Sequence, residues 1–492
     1  MVDPNSMQVL SCKEIIVAKK KEEKPKKVLP KLEENEKFHM GDEFYLKKVE
    51  DVEKDQKKKI STNRLSKLKA FATTVNESVG EGTLNVTRAQ SKMIRVSTGI
   101  LSLDLAIGGG WPIMGKMGLV WGKKSQGKTE LCLRTMQSFQ NHCAFCAQPL
   151  NFCKPLGCGR QEPMLTNLTD IENSWDDSWA ISKGIDPGLV TISQPDCLED
   201  TVDIITESIN QRLFSLHVLD SMAMVAPEKE LEDGQAKWQQ GLAARIQNKG
   251  WRAWTNALNS SMKAGFPQFL LVVNQEREKI GVMFGDPATK PGGSAQEFMP
   301  SIIIRTQAAE YKERENPVTS AKESYAVDLK GFVEKNKTAP AKAGYHFLMY
   351  TRDYGKFKKG DLDERAYLLT CIEKCGWLGM IKPKSNKWTI NEVLVKELGI
   401  EEETKVLDKK GKFSGEITGD SNCKLDKESQ KLYFKTKGQL VDSIFNNEVR
   451  YAHIRTRIID AILAGKIELQ KVDKSEEEIA NDAKIKQLER NS

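Results

Sequence analysis

The segment Gly122-Lys123-Lys124-Ser125-Gln126-Gly127-Lys128-Thr129 carries the densest chemistry in the chain. Its two glycines and terminal Lys-Thr pair satisfy the phosphate-loop pattern in full. Glycines let backbone N–H groups turn inward on phosphate oxygens, and a helix starting there adds partial positive charge. In that arrangement Lys128 reaches the β- and γ-phosphates of ATP, and the Thr129 hydroxyl holds Mg²⁺. The flanks fit, with apolar Gly118-Leu119-Val120-Trp121 before the loop and helix-compatible Glu130–Gln140 after it. A carboxylate on the Mg²⁺ side belongs at the end of a later strand, and Asp220 follows the apolar Leu216-His217-Val218-Leu219. His217 in that strand reads as a buried, satisfied side chain rather than a ligand. Glu172, just beyond an expected strand at Pro163–Leu168, is the candidate for orienting a hydrolytic water.

A second constellation is made of thiols. Cys143, Cys146, Cys153 and Cys158 are separated by two, six and four residues, with Gly159 behind the last. Four thiolates in so short a segment suit a structural Zn²⁺ ion, which gives a small insertion at 142–160 a fold of its own. His142 is an alternative ligand. Four sulfur ligands leave no open position, which argues against a catalytic metal. The other six cysteines are scattered, so the pattern is not a disulfide framework.

Around these groups the chain divides by composition. Residues 95–356 alternate apolar runs with helical stretches, the pattern of an α/β sheet. Strands are expected at Met117–Trp121, Pro163–Leu168, Leu189–Ile192, Leu216–Leu219, Gln268–Val273 and Ser301–Arg305. Residues 357–470 read as a smaller α+β domain, with apolar Tyr367–Trp377 and Ile454–Leu463 and a polar insertion at Lys409–Leu425. Residues 1–60 form a charged, proline-broken arm and 471–492 a charged tail. Within 61–94, Leu65, Leu68, Phe71 and Val75 have helical spacing, and their apolar face needs either its own domain or a neighbouring subunit. No internal repeat is visible.

The 492 residues exceed one ordinary domain, and 39% hydrophobic with 29% charged residues describes a folded chain. Mean hydropathy is −0.49. No run approaches the ~20 apolar residues that span a bilayer, so no membrane association is expected. Met1 to Lys21 lacks an apolar core of secretory type. The balance of 75 Lys+Arg against 68 Asp+Glu gives +7, which excludes a whole-surface polycation but not a local basic groove.

Further motifs extend the reading. Ser97-Thr98-Gly99-Ile100-Leu101-Ser102-Leu103-Asp104 leads into the phosphate loop, and Ile192-Ser193-Gln194-Pro195-Asp196 follows the third strand. Leu219-Asp220-Ser221-Met222-Ala223 and Gly241-Leu242-Ala243-Ala244-Arg245 come next. Asn274-Gln275 then opens Lys279-Ile280-Gly281-Val282-Met283-Phe284-Gly285, with Gly292-Gly293 behind it. In order and spacing, residues 62–355 closely resemble the bacterial RecA recombinases. The resemblance implies a RecA-like P-loop ATPase core with a central, mostly parallel sheet. It makes Glu172 the catalytic glutamate and puts Asp176 and Trp179 against adenine, tryptophan replacing the usual tyrosine. It makes Gln275 the sensor of the γ-phosphate. Lys335 and Lys337 match paired lysines that reach the nucleotide from a neighbouring subunit, and Phe298 falls at an intersubunit contact. Single-stranded DNA is then held by two loops. Gln235–Arg252 offers Arg245 and Arg252. Gln275–Phe298 offers Arg277, Lys279, the apolar wedge Ile280, and Gly281, Gly292 and Gly293 for close backbone approach.

The implied activity is a DNA-dependent ATPase that forms a helical filament on single strands, then pairs them with homologous duplex DNA. A mediator or single-strand-binding protein is an expected partner, and the cytoplasm the expected location. Two alternatives are an accessory paralogue with little hydrolysis and a RecA-like motor acting on branched DNA. Departures are local: the basic Lys123-Lys124-Ser125-Gln126 interior of the phosphate loop, Asn173 to Trp175, the cysteine insertion and a poorly matching C-terminal third. They mark a divergent member and fit a phage-encoded protein acting in host cytoplasm, as well as a nucleoid-associated one.

Overall fold

Six of the seven residues of Lys116–Gly122 (β1) are buried, as a strand covered on both faces requires. The computed structural model describes residues 62–79, 93–233, 241–278, 288–316, 319–340, 343–382, 385–400, 404–407, 413–418, 422–426, 429 and 431–463. The arm, the tail and Lys279, Ile280 and Gly281 lie outside these residues. The expected N-terminal helix is Thr62–Val79 (α1), with Ala72 buried but Leu68 and Phe71 exposed.

The central sheet continues with Thr166–Asp170 (β2), Val190–Ser193 (β3), Leu216–Asp220 (β4), Phe269–Gln275 (β5), Ile302–Glu315 (β6), Lys322–Asn336 (β7), Gly344–Tyr350 (β8) and Leu362–Asp363 (β9). Their order is β9-β8-β7-β6-β1-β5-β4-β2-β3. From β6 to β3 every pairing is parallel, and from β6 to β9 every pairing is antiparallel. All six expected strands are present. The second begins at Thr166 rather than Pro163, because Pro163 pairs with Cys143 in the cysteine insertion. The sixth runs on to Glu315. The antiparallel extension was not expected, because β7 mixes charged and apolar residues on a half-covered surface.

Helices cover both faces. On one, Lys128–Gln140 (α3) contributes Met136 and Phe139 to a core with Phe269, Leu271 and Val273. On the other, Leu198–Gln211 (α6) and Leu242–Lys263 (α7) bring Ile205, Trp251 and Trp254 against Leu270 and Val272. Alternate residues of β5 therefore feed opposite cores. Between α3 and β2 lies the short helix Leu150–Leu156 (α4), and Asp177–Ser182 (α5) follows β2.

The C-terminal unit is α+β. It contains the helices Arg365–Lys374 (α8), Lys437–Phe445 (α9) and Glu448–Leu463 (α10), with three small antiparallel pairs. The stretch expected as a polar insertion contributes Phe413–Thr418, paired with Thr404–Leu407. Leu101 and Leu105 of Leu101–Ile107 (α2) enter the core of this unit. Two buried carboxylates reinforce the junction. Asp104 accepts from Ser97 Oγ and Thr98 N and pairs with Arg455 of α10. Glu364 accepts from Leu101 N at 2.6 Å and Tyr451 Oη at 2.7 Å.

Burial pushes the Glu364 carboxyl up to about 7, against the downward pull of its Tyr451 and Leu101 hydrogen bonds. Between its unfolded value, about 4.5, and about 7 the folded chain therefore holds the extra proton. Its contribution is complete below that window and declines as pH rises through it. In thermal melts across this range, Glu364→Gln should remove a decline of at most about 1.4 kcal/mol per pH unit. Parallel curves for the two proteins would contradict this.

Candidate functional site

The parallel strands end along one edge of the sheet, and a cleft of about 520 Å³ opens there. That volume suits a nucleotide-sized ligand. Lys124, Ser125, Gly127, Lys128 and Thr129 line one side, and Glu172, Asp220 and Gln275 line another. Register explains the convergence, since Gly122 lies opposite Gln275 and Asp170 opposite Asp220.

Gly127 adopts φ 80°, which starts α3 directly behind the loop. Lys128 Nζ donates to Gly122 O at 3.1 Å and Lys123 O at 2.7 Å, which curls the loop around the ammonium group. Gln126 turns away toward β6: its Oε1 accepts from Lys123 N and Thr306 Oγ1, and its Nε2 donates to Gln307 O. Gly122, Lys123 and Gln126 therefore shape the loop without lining the cleft.

Thr129 Oγ1 donates to Asp220 Oδ2 at 2.8 Å, so two hard oxygen ligands of the kind Mg²⁺ takes stand side by side. Burial pushes Asp220 up to about 6 against the Thr129 hydrogen bond, and Glu172 and Asp170 push the same way. Burial lowers Lys128, while Asp220 and Glu172 oppose the fall. Glu172 Oε1 accepts from Ser221 Oγ at 2.7 Å and Gln275 Nε2 at 2.8 Å. Asp170 accepts from Ser174 N and Trp175 N, fixing the turn that presents Glu172.

Asp176 and Trp179 stand on α5 and do not line the cleft. Asp176 caps the helix through Trp179 N, and Lys183 and Lys359 lie over the Trp179 ring at 3.9 and 4.6 Å. Beneath them, buried Glu130 pairs with Arg134 and Lys183. Lys335 and Lys337 are also away from the cleft. Both donate to Phe298 O, and Lys335 also to Glu297 O, while the Phe298 side chain is 69% exposed. Burial and then the neighbouring Lys337 lower Lys335. Leu329, on the same β7, lines the cleft six residues before Lys335, so the lysines lie about 20 Å further along the strand.

Arg245 and Arg252 are exposed on α7. With exposed Lys249 they sit at i, i+7 and i+4, one basic stripe along a helix face. Arg277 is exposed and pairs with Thr289, closing the base of the second loop. Gly292 and Gly293 have a local cause. A Cβ on Gly292 would meet Gln247 Oε1 at 2.1 Å, and one on Gly293 would meet Asn248 Oδ1 at 2.2 Å. Their close approach is to α7.

The four cysteine sulfurs lie within 4.8 Å of one another. Sγ–Sγ separations are 3.7 Å for Cys143–Cys158 and Cys146–Cys153, and 3.8 Å for Cys153–Cys158. A tetrahedron with Zn–S bonds of about 2.3 Å has edges of about 3.8 Å. The sulfurs follow α3 and precede β2, at the end of α3 opposite the phosphate loop. That helix of 13 residues separates them from the cleft by about 20 Å.

Sequence reasoning missed the wall built by Tyr311, Val327, Leu329, Met349 and Thr351, all from the unexpected antiparallel extension or its edge. It also missed Asp170, Ser221 and Lys249. Lys249 carried a sequence signal in its spacing from the two arginines, and Ser221 in the motif Leu219-Asp220-Ser221-Met222-Ala223.

The RecA N-terminal domain family matches residues 158–353. Protein RecA of Rhizobium rhizogenes is 30% identical over 321 residues, covering 64% of this chain and 80% of the relative. Protein RecA of Bdellovibrio bacteriovorus is 28% identical over 323 residues, with 65% and 77% covered. Protein RecA of Bacillus thuringiensis is 29% identical over 291 residues, with 59% and 75% covered.

The geometry separates binding from turnover. Glu172→Gln should keep MgATP affinity, read by calorimetry, while turnover falls about 10²–10⁴-fold. Equal losses in both would remove Glu172 from the chemical step.

Proposed function

The chain belongs to the RecA family, and from that premise we propose that it is a DNA-dependent ATPase that forms a helical filament on single-stranded DNA and catalyses homologous pairing and strand exchange with duplex DNA. The observation that carries this reading is the 2.8 Å hydrogen bond from Gln275 to Glu172. It joins the candidate hydrolytic carboxylate to the strand end from which the second DNA loop departs.

In this reading Glu172 accepts the proton side of the attacking water and orients it at the γ-phosphate. Lys128 balances charge on the β- and γ-phosphates, with backbone N–H groups of the loop beside it. Thr129 and Asp220 hold Mg²⁺, which screens phosphate charge when bound. Asp176 and Trp179 serve adenine in the family's manner, from α5 beside the cleft. Lys335 and Lys337 act on the nucleotide of the next protomer, because their own cleft lies too far along β7. Arg245, Lys249, Arg252 and Arg277, with Lys279 and Ile280, contact the single strand. Binding through phosphates is independent of sequence and weakens steeply with salt. In this reading the protein works in the cytoplasm, with a mediator or single-strand-binding protein as a further partner. No helix among the described residues is long and apolar enough to cross a membrane.

The deciding experiment measures ATP turnover with and without single-stranded DNA, alongside electron micrographs. Wild type should be stimulated and form filaments. Lys335→Ala with Lys337→Ala should lower stimulated turnover about 10²-fold or more and leave MgATP binding by monomers near wild type. Background turnover with DNA present would instead support a non-hydrolysing accessory protein.

The cysteine cluster is proposed to hold one structural Zn²⁺ ion, supported by sulfur separations that match a tetrahedron. Freshly purified protein should contain about one zinc per chain, and Cys146→Ser with Cys158→Ser should lose it and melt at lower temperature. Metal-free protein with an unchanged melting temperature would refute the site.

A further inference from the structure

Both ends of the loop 276–297 converge on Trp121, the residue before the first glycine of the phosphate loop. Trp121 is only 4% exposed. At the far end of the loop, Lys290 Nζ lies 4.1 Å from the centre of the Trp121 ring and pairs with Glu297 at 3.1 Å and Glu334 at 3.3 Å. The indole N–H donates to Glu334 Oε2 at 2.7 Å. At the near end, Glu276 N donates to Gly122 O at 2.9 Å. The Glu276 carboxylate, with its side chain 4% exposed, lies 3.2 Å from Arg305 Nη2 and 4.0 Å from Lys123 Nζ of the phosphate loop. Arg305 in turn lies over the Trp121 ring at 4.6 Å.

The two cations facing Glu276 are unequal. Arg305 is mostly covered, whereas the Lys123 side chain is 62% exposed and at the limit of an ion pair. A buried carboxylate is sensitive to the loss of either partner, because uncompensated charge in a low dielectric is costly. Lys123 does not line the cleft, but its backbone O holds Lys128 Nζ at 2.7 Å, so a change at Lys128 on phosphate binding would reach the Lys123–Glu276 contact at the base of the second loop.

We propose that Glu276 is a positioning residue that couples the phosphate loop to the DNA loop through Lys123 and Arg305, as a second link beside Gln275. Trp121 and Lys290 carry the same coupling to the loop's other end. This rests on the reading of loop 276–297 as a DNA contact. It also gives a role to the lysine at 123, one of the departures in the phosphate loop. Coupling between sites requires a two-state element, and breaking of the Lys123–Glu276 contact while Arg305–Glu276 holds would be that element.

The test uses the full-length chain. Glu276→Gln should hold MgATP affinity and DNA-free turnover within about twofold of wild type, while stimulation by single-stranded DNA falls about tenfold. Exchanging the pair, Glu276→Arg with Arg305→Glu, should restore a substantial part of that stimulation. In protein labelled with 5-fluorotryptophan, the Trp121 signal, assigned by Trp121→Phe, should shift on adding single-stranded DNA to the MgATP complex of wild type and not of Glu276→Gln. Full stimulation in Glu276→Gln overturns the proposal. So does equal loss of DNA-free and stimulated turnover with a lower melting temperature, which would make Glu276 a brace only. Wild type without any stimulation sinks the DNA reading itself, and this coupling with it.

Discussion

Parallel pairing among β1, β5, β4 and β2 is the constraint on which the site depends. Neighbouring strands are about 4.8 Å apart, so three pairings spread the phosphate loop, Gln275, Asp220 and Glu172 over about 14 Å of one sheet edge. Their order along that edge follows from Gly122 opposite Gln275 and Asp170 opposite Asp220. A slip of one residue would reverse every side chain. For β5 it would exchange Leu271 and Val273 for Leu270 and Val272, moving each set into the wrong core. The two hydrophobic faces therefore hold the polar edge in register, although none of their residues touches a ligand.

That edge gathers charges that are poorly served by one another. Asp220 is buried near Asp170 and Glu172, and its carboxyl rises to about 6. Lys128 is buried and falls despite two facing carboxylates. Two acids facing one ammonium, with Asp170 behind Asp220, are uneven as they stand. A divalent cation beside Asp220 and Thr129, with a polyphosphate beside Lys128, would balance both signs together. The electrostatics thus favour a metal–nucleotide pair over either component alone.

The chemistry of this site was legible where it is local in sequence. Phosphate-loop glycines, a strand-end Asp220 and four closely spaced cysteines announce themselves because adjacent residues do the work. Glu172 was a candidate from its place beyond an expected strand, whereas Gln275 entered only through the ordered motifs around it, since a single Gln has no distinctive spacing. The antiparallel strands β6 to β9 were largely hidden. Lys322–Asn336 alternates irregularly because one side is only partly covered, so its apolar count resembles that of a loop. The cleft wall from Tyr311 to Thr351 was lost with it. Gly292 and Gly293 lie tightly against α7, a neighbour the sequence did not indicate: sequence reveals that a backbone needs room, but not every surface that requires it. Glu276, Arg305 and Lys290 meet only after folding, and no spacing brings them together on paper.

The strand β7 adds a geometric consequence. Its middle lines the cleft at Val327 and Leu329, and its end carries Lys335 beside exposed Phe298. If lysines at one end complete a site at the other, the contact joins two different surfaces of identical chains. Such a heterologous contact cannot close on itself in a dimer; it generates a ring or an open helix. The exposed Leu68 and Phe71 of α1 give the same chain a further uncovered apolar face. In this arrangement DNA need not attract the whole molecule. Basic residues on α7 and at the base of the second loop would repeat with each protomer of such a filament, so a chain with a formal charge of only +7 would present a continuous cationic path once assembled. Net charge is then a poor guide to the partner, and the pitch at which local charge repeats becomes the quantity that decides affinity.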